Sequence, residues 1–212
     1  MKPYAKLMLV LGLLWFLGAL SASALHLFEN ASSRLGGAVA VGATLPLIVF
    51  FLWFGVSRTF RDFVMSWNPT ILTATQSGRI IGFTFVLLEA HRGLPAIFAL
   101  PAGYGDMAIG ATATFVAWKL ANAGHRNSFI LWQLLGIADL VTAVALGTTA
   151  GLLDPHGVPM LYMTMLPLSL VPTFLVPLYL IFHVVCIAQA KRWTVPSQPH
   201  YQIATSAPVR QF

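Results

Sequence analysis

The chain has 212 residues, 58% of them hydrophobic and only 8% charged, with a mean hydropathy of +0.79. An ordinary soluble domain carries about one charged residue in four, so water is excluded as the main solvent, and the length fits six helical crossings of roughly 20 residues with short connections. Lys and Arg outnumber Asp and Glu 12 to 6, but the basic residues sit in short flanks between apolar runs, which is a topology signal and not a nucleic-acid surface.

The first apolar run covers residues 5–28. Lys2, Lys6 and the small residues Ser21 to Ala24 give it the outline of a secretory signal, but removing it would leave five spans and spoil the charge pattern, so it is expected to stay as the first helix. His26 and Glu29 close it. The short loop that follows holds Arg34 and the formal sequon Asn30-Ala31-Ser32, which lies too close to the membrane to act as an acceptor. The second run covers 37–56.

Residues 58–78 form the longest connection. Phe60, Phe63, Val64, Trp67 and Ile71 recur at helical spacing among Arg58, Arg61, Asp62 and Ser66, which predicts a short amphipathic helix near 58–68 lying in the interface until Pro69 stops it.

The third run, 79–100, carries Glu89, His91 and Arg92. Glu89 and Arg92 are three apart, hence on one face, and read as an intrahelical pair; His91 points elsewhere and is either a hydrogen-bonding residue or a proton-pathway residue. The fourth run, 103–121, follows a flexible Pro101-to-Gly105 connection in which Asp106 reads as a cap near the outer surface. The fifth, 128–150, carries Asp139 near mid-depth. Asp106, Gly110, Ala113 and Ala117 share one stripe, and Gly136, Asp139, Ala143, Gly147 and Ala150 another, so both aspartates are expected to face the bundle, with the small residues packing the fourth helix on the fifth.

The sixth run, 159–188, is too long for one straight crossing and contains Pro159, Pro167, Pro172 and Pro177. Internal prolines free backbone carbonyls and are tolerated where a helix is packed or lines a cavity. Tyr179, His183 and Cys186 form a stripe at its inner end. The tail over 191–212, rich in Pro, Ser and Gln, is expected to be disordered.

The fold class expected is all-α: an integral membrane domain over 1–190 with six transmembrane helices. With both termini cytoplasmic, the inner segments collect Lys2, Lys6, Arg58, Arg61, Arg79, Lys119, Arg126, Lys191, Arg192 and Arg210, against Arg34 outside, the asymmetry of a multi-pass inner-membrane protein. A charge in hydrocarbon costs several kcal/mol unless paired, hydrated or neutralised, which makes Asp139, Glu89, His91, Arg92, Asp106, His183 and Tyr179 the candidate substrate or proton pathway.

No motif of fixed spacing names a chemistry. The single Cys186 excludes an internal disulfide, and there is no CxxC or HExxH pattern. A bis-histidine haem needs two histidines at similar depth on different helices, which His26, His91 and His183 do not offer. The outer set His26, Glu29, Asp106, Asp154 and His156 has ligand types suited to a divalent metal, but only the first two have helpful spacing.

The leading functional expectation is a proton-linked transporter of a small solute, coupled through Asp139 or Glu89. The alternatives are a membrane-embedded enzyme acting on a lipid or quinone-like substrate with histidine and carboxylate acid-base or metal chemistry, and an accessory or assembly subunit in which the polar residues only join helices. Expected partners are the lipid bilayer, a small solute or lipid-like ligand and, in an oligomer, copies of the chain itself.

Overall fold

The computed structural model describes residues 2–29 and 36–194. Within them every regular element is helical. The sequon at Asn30, Arg34 and the tail from 195 onward, Arg210 included, lie outside the described residues.

Five stretches are long and apolar enough to cross a membrane: Tyr4–Ala24, Gly37–Val56, Pro69–Ala90, Ala123–Leu153 and Val171–Ala190. Their outer faces expose Leu9, Leu13, Leu14, Leu52, Val56 and Leu131. A continuous apolar surface of that kind is stable only against lipid.

The first two stretches contain α1 (Lys2–Ala24) and α2 (Gly37–Val56). Ser57 then caps α3 (Arg58–Met65) by accepting from Phe60 N, and α3 buries Phe60, Phe63 and Val64. Arg61 folds back to donate to the carbonyls of Phe54 and Gly55 at the end of α2, filling acceptors that the helix terminus leaves open.

Pro69 does not end a helix; it begins one. Asn68 accepts from Thr70 N at 2.9 Å and Pro69 occupies the first turn of α4 (Pro69–Ala74), where its missing N–H is harmless. The chain continues through a 3₁₀ segment (Thr75–Gly82) into α5 (Phe83–Ala90), making one 22-residue stretch. The third crossing therefore covers 69–90, ten residues earlier than the sequence predicts, and Arg79 lies in its middle. The polar run from Thr70 to Ser77 reads as a loop in sequence, yet its Thr73 and Gln76 are buried by protein.

The turn after α5 explains why the crossing stops there. Gly93 N donates to Leu88 O at 2.7 Å and Arg92 N to Glu89 O at 2.8 Å, the paired bonds of a helix terminator whose key residue takes the left-handed conformation. That residue is Arg92, at φ 55°. His26, at φ 58°, closes α1 through the same two bonds. A side chain at such a φ is costly where glycine is not. Arg92→Gly should thus raise the midpoint of thermal unfolding in detergent by about 2–4 °C, the shift expected for about 1 kcal/mol in a chain of this size.

α6 (Ala96–Lys119) is the central helix. It packs on α4, the 3₁₀ segment, α5 and α7 (Arg126–Leu153). Its 24 residues are comparable in length to the five stretches above, but Tyr104, Asp106 and three glycines dilute its apolar character. One face is buried against its neighbours through Phe98, Ala102, Ile109, Ala113, Val116 and Ala117, while Tyr104, Phe115 and Trp118 on the other stay exposed. Asp106 is thus inside a helix, about 15 Å from its first residue at ~1.5 Å per residue, and Pro101 to Gly105 is not a flexible connection.

The last expected span is also corrected. Residues 154–170 are irregular apart from a 3₁₀ turn at Leu161–Thr164, and bury Met160, Met163, Thr164 and Ser169 against the bundle. A π-helical turn at Val171–Leu175 then leads into α8 (Val176–Ala190). Pro159 and Pro167 thus lie outside the helix, which accounts for the excess length.

Candidate functional site

Arg79 is the largest fully buried side chain, 1% exposed, and three helices converge on it. Its Nε donates to Asp106 Oδ1 of α6 at 2.7 Å, and an Nη2 hydrogen is given to Asp139 of α7. Nη1 donates to the carbonyl of Gly136 at 3.3 Å and to His183 Nε2 of α8 at 3.2 Å. A planar guanidinium with five donors in a fixed fork can hold partners on several sides at once, which a lysine cannot.

The hydrogen bonds beyond Arg79 have a determined direction. The guanidinium only donates, so His183 Nε2 accepts and the ring proton is on Nδ1. It is given to Gln133 Oε1 at 2.5 Å. The Gln133 amide in turn donates to Thr73 Oγ1 at 3.0 Å, and Thr73 lies 3.7 Å from Cys186 Sγ. The chain of bonds runs from Arg79 to Thr73 on α4 and Cys186 on α8. Gln133, His183 and Thr73 are buried throughout.

Small residues make the convergence possible. A Cβ at Gly105 would overlap the Asp139 carboxylate, and one at Gly136 would overlap the His183 ring. A Cβ at Gly103 would lie 2.9 Å from Gly82 O, and one at Gly110 3.0 Å from the Arg79 carbonyl carbon. α6 and α7 do pack on each other, and the glycines of their stripes admit further elements as well. Gly110 admits the backbone that carries Arg79, Gly136 admits His183, and Gly105 is where α6 meets α7.

Two apolar cores lie on either side of this layer. One gathers Phe60, Leu72, Ile109, Val116, Phe129 and Val185; the other gathers Phe85, Leu94, Phe98, Ala102, Met160 and Met163. Arg79, Asp106 and Asp139 fall between the two groups along their own helices. Each carboxylate side chain retains a small exposed edge, 13% and 15%, while Arg79 retains almost none.

Of the residues singled out in sequence, Asp106, Asp139 and His183 come together, and Tyr179 stands one turn from His183 with its hydroxyl over Gly78. Glu89, His91 and Arg92 do not join them. They lie at the end of α5 and in its turn, with His91 and Arg92 exposed, and the cation that meets the two aspartates is Arg79. The outer metal set is dispersed: His26 pairs with Glu29 at 2.5 Å while Asp106 is held by Arg79. Among the described residues no three metal-ligating side chains gather. Arg79, Gln133 and Thr73 were missed; the glycines flanking Arg79 at 78 and 82 were the available signal.

A family described as Domain of unknown function (DUF8737) matches residues 37–190. That span contains every residue of the layer and leaves α1 outside. No curated protein and no solved structure matches the chain.

Proposed function

The chain belongs to that family, and we propose that its matched region forms a proton-linked transporter of a small solute in the plasma (inner) membrane. The observation that carries this reading is the pairing of two aspartates from different helices with one arginine. Two carboxylates facing one guanidinium leave the layer one positive charge short of neutrality. An excess charge in the bilayer interior costs several kcal/mol, so the resting layer holds a proton, shared by the pair as one titrating unit. Releasing that proton strengthens the grip of Arg79 on both helices; taking it up frees one of them.

The surrounding backbone suits such a movement. The 3₁₀ segment at Thr75–Gly82 and the π turn at Val171–Leu175 are departures from α-helix of the kind that mark hinges and functional sites. In this reading α6 crosses as well, since its 24 residues span about 36 Å. There are then six crossings. Moving Arg79 to the interior and Arg92 to the outer side still leaves the inner segments strongly basic, which supports cytoplasmic termini.

The enzyme reading is weaker. Both ring nitrogens of His183 are engaged, by Arg79 and by Gln133, which leaves no free nitrogen for acid-base work. The accessory-subunit reading needs no proton movement, and one variant separates it from transport. Asp139→Asn keeps a hydrogen-bonding group and fixes the layer in its neutral state. It should fold, as judged by thermal unfolding, yet lose proton-driven uptake or proton flux in liposomes by 100-fold or more. Undiminished, pH-dependent activity in a folded Asp139→Asn protein would reject the proposal.

A further inference from the structure

A groove of about 890 Å³ lies between α1, α2 and α8, floored by Phe63 and Trp67 beside α3, and lined by Gly12, Phe16, Val49, Trp53, Phe174 and Phe182 among others. It is on the far side of α8 from the Arg79 layer, whose His183 points the other way. α1 is tied to the bundle by the buried Ser23–Ser169 hydroxyl pair near its end and, along the groove, at two further places. Near mid-depth Trp15 Nε1 donates to Thr173 O at 3.0 Å and Phe16 stacks edge-on against Phe174; near the inner end Tyr4 packs on Trp53, Phe60 and Phe63. Between these supports the helices stand apart.

We propose that this groove binds one anionic phospholipid of the cytoplasmic leaflet, acyl chains in the groove and headgroup at the end bearing α3. The volume is near the upper limit of small-molecule sites, and the lining is apolar along its length, as hydrocarbon requires. On α1 the lining residues run from Ala5 to Phe16, about 17 Å at ~1.5 Å per residue. That is close to half of the ~30 Å hydrocarbon core, the depth of a single leaflet. The headgroup chemistry follows from charge. Lys6, next to the lining residue Ala5, and Arg58, on the helix that carries Phe63, are exposed, and α3 holds one acid, Asp62; Arg61 is occupied with the α2 carbonyls. Basic residues at a membrane surface favour anionic lipid by about 1 kcal/mol each. The choice of leaflet rests on the orientation given above; binding itself does not depend on it, nor on transport.

The full chain, purified in mild detergent and exposed to equal amounts of phosphatidylglycerol and phosphatidylcholine with identical chains, is read by native mass spectrometry. One phosphatidylglycerol should be retained, preferred about tenfold. Gly12 has open space around its Cβ position, so Gly12→Phe fills the groove without a clash and should abolish retention of either lipid. Val49→Trp blocks the opposite wall and should do the same should Gly12→Phe disturb folding. Lys6→Gln with Arg58→Gln should keep a bound lipid and remove the preference. Equal retention of the two lipids by the unaltered protein, no retention at all, or undiminished retention in a folded groove-filling variant would overturn the proposal.

Discussion

Replacing Arg79 by glutamine should destabilise the protein by about 3–5 kcal/mol, the loss typical when one partner of a buried ion pair is removed and the other is left without compensation. Here two carboxylates would be left facing each other. The expected readouts are a large fall in membrane yield and in the detergent unfolding midpoint. Arg79→Lys should rescue little, because a single ammonium cannot reach Asp106, Asp139, Gly136 O and His183 together. Combining Arg79→Gln with Asp106→Asn and Asp139→Asn removes the stranded charges and should recover much of the stability without recovering activity. If Arg79→Gln alone folds and unfolds like the parent protein, the ion layer described above does not hold the helices.

The second large effect is expected at Gly136, where the ring of His183 occupies the space of a side chain. Gly136→Leu forces the ring away and breaks its bonds to Arg79 and Gln133, combining overpacking with lost buried hydrogen bonds. A loss of about 3 kcal/mol or more follows. Leu134, two residues earlier, is about half exposed on the outer face, and Leu134→Ala should change the unfolding midpoint little. Equal loss at the two positions would argue that α7 does not face α8 through Gly136.

The helical, lipid-facing character of the chain was legible from composition and run length, because each exposed leucine of α1 and α2 reports the solvent directly. The interior was less legible for the same physical reason. Hydropathy measures contact with lipid, so the stretch from Pro69 to Gly78, whose Thr73 and Gln76 are fully buried by protein, reads as a loop. That shifted the third crossing by ten residues and turned Arg79 into a flank. Asn68-Pro69-Thr70 carried the correction in its cap and first-turn proline. Small-residue stripes located Asp106 and Asp139 on inward faces, yet nothing in a stripe says which helix it admits; Gly110 meets the Arg79 backbone and Gly136 meets His183, contacts separated by tens of residues in sequence.

The account turns on the layer holding an exchangeable proton, and infrared difference spectroscopy across a pH titration observes that proton directly. The purified protein should show the carbonyl stretch of one buried carboxylic acid that disappears on raising the pH, and the band should be absent from Asp139→Asn or, with the pair acting as a unit, shifted in both Asp139→Asn and Asp106→Asn. A protein in which no such band titrates, and in which both aspartates stay ionised on Arg79 throughout, would contradict it.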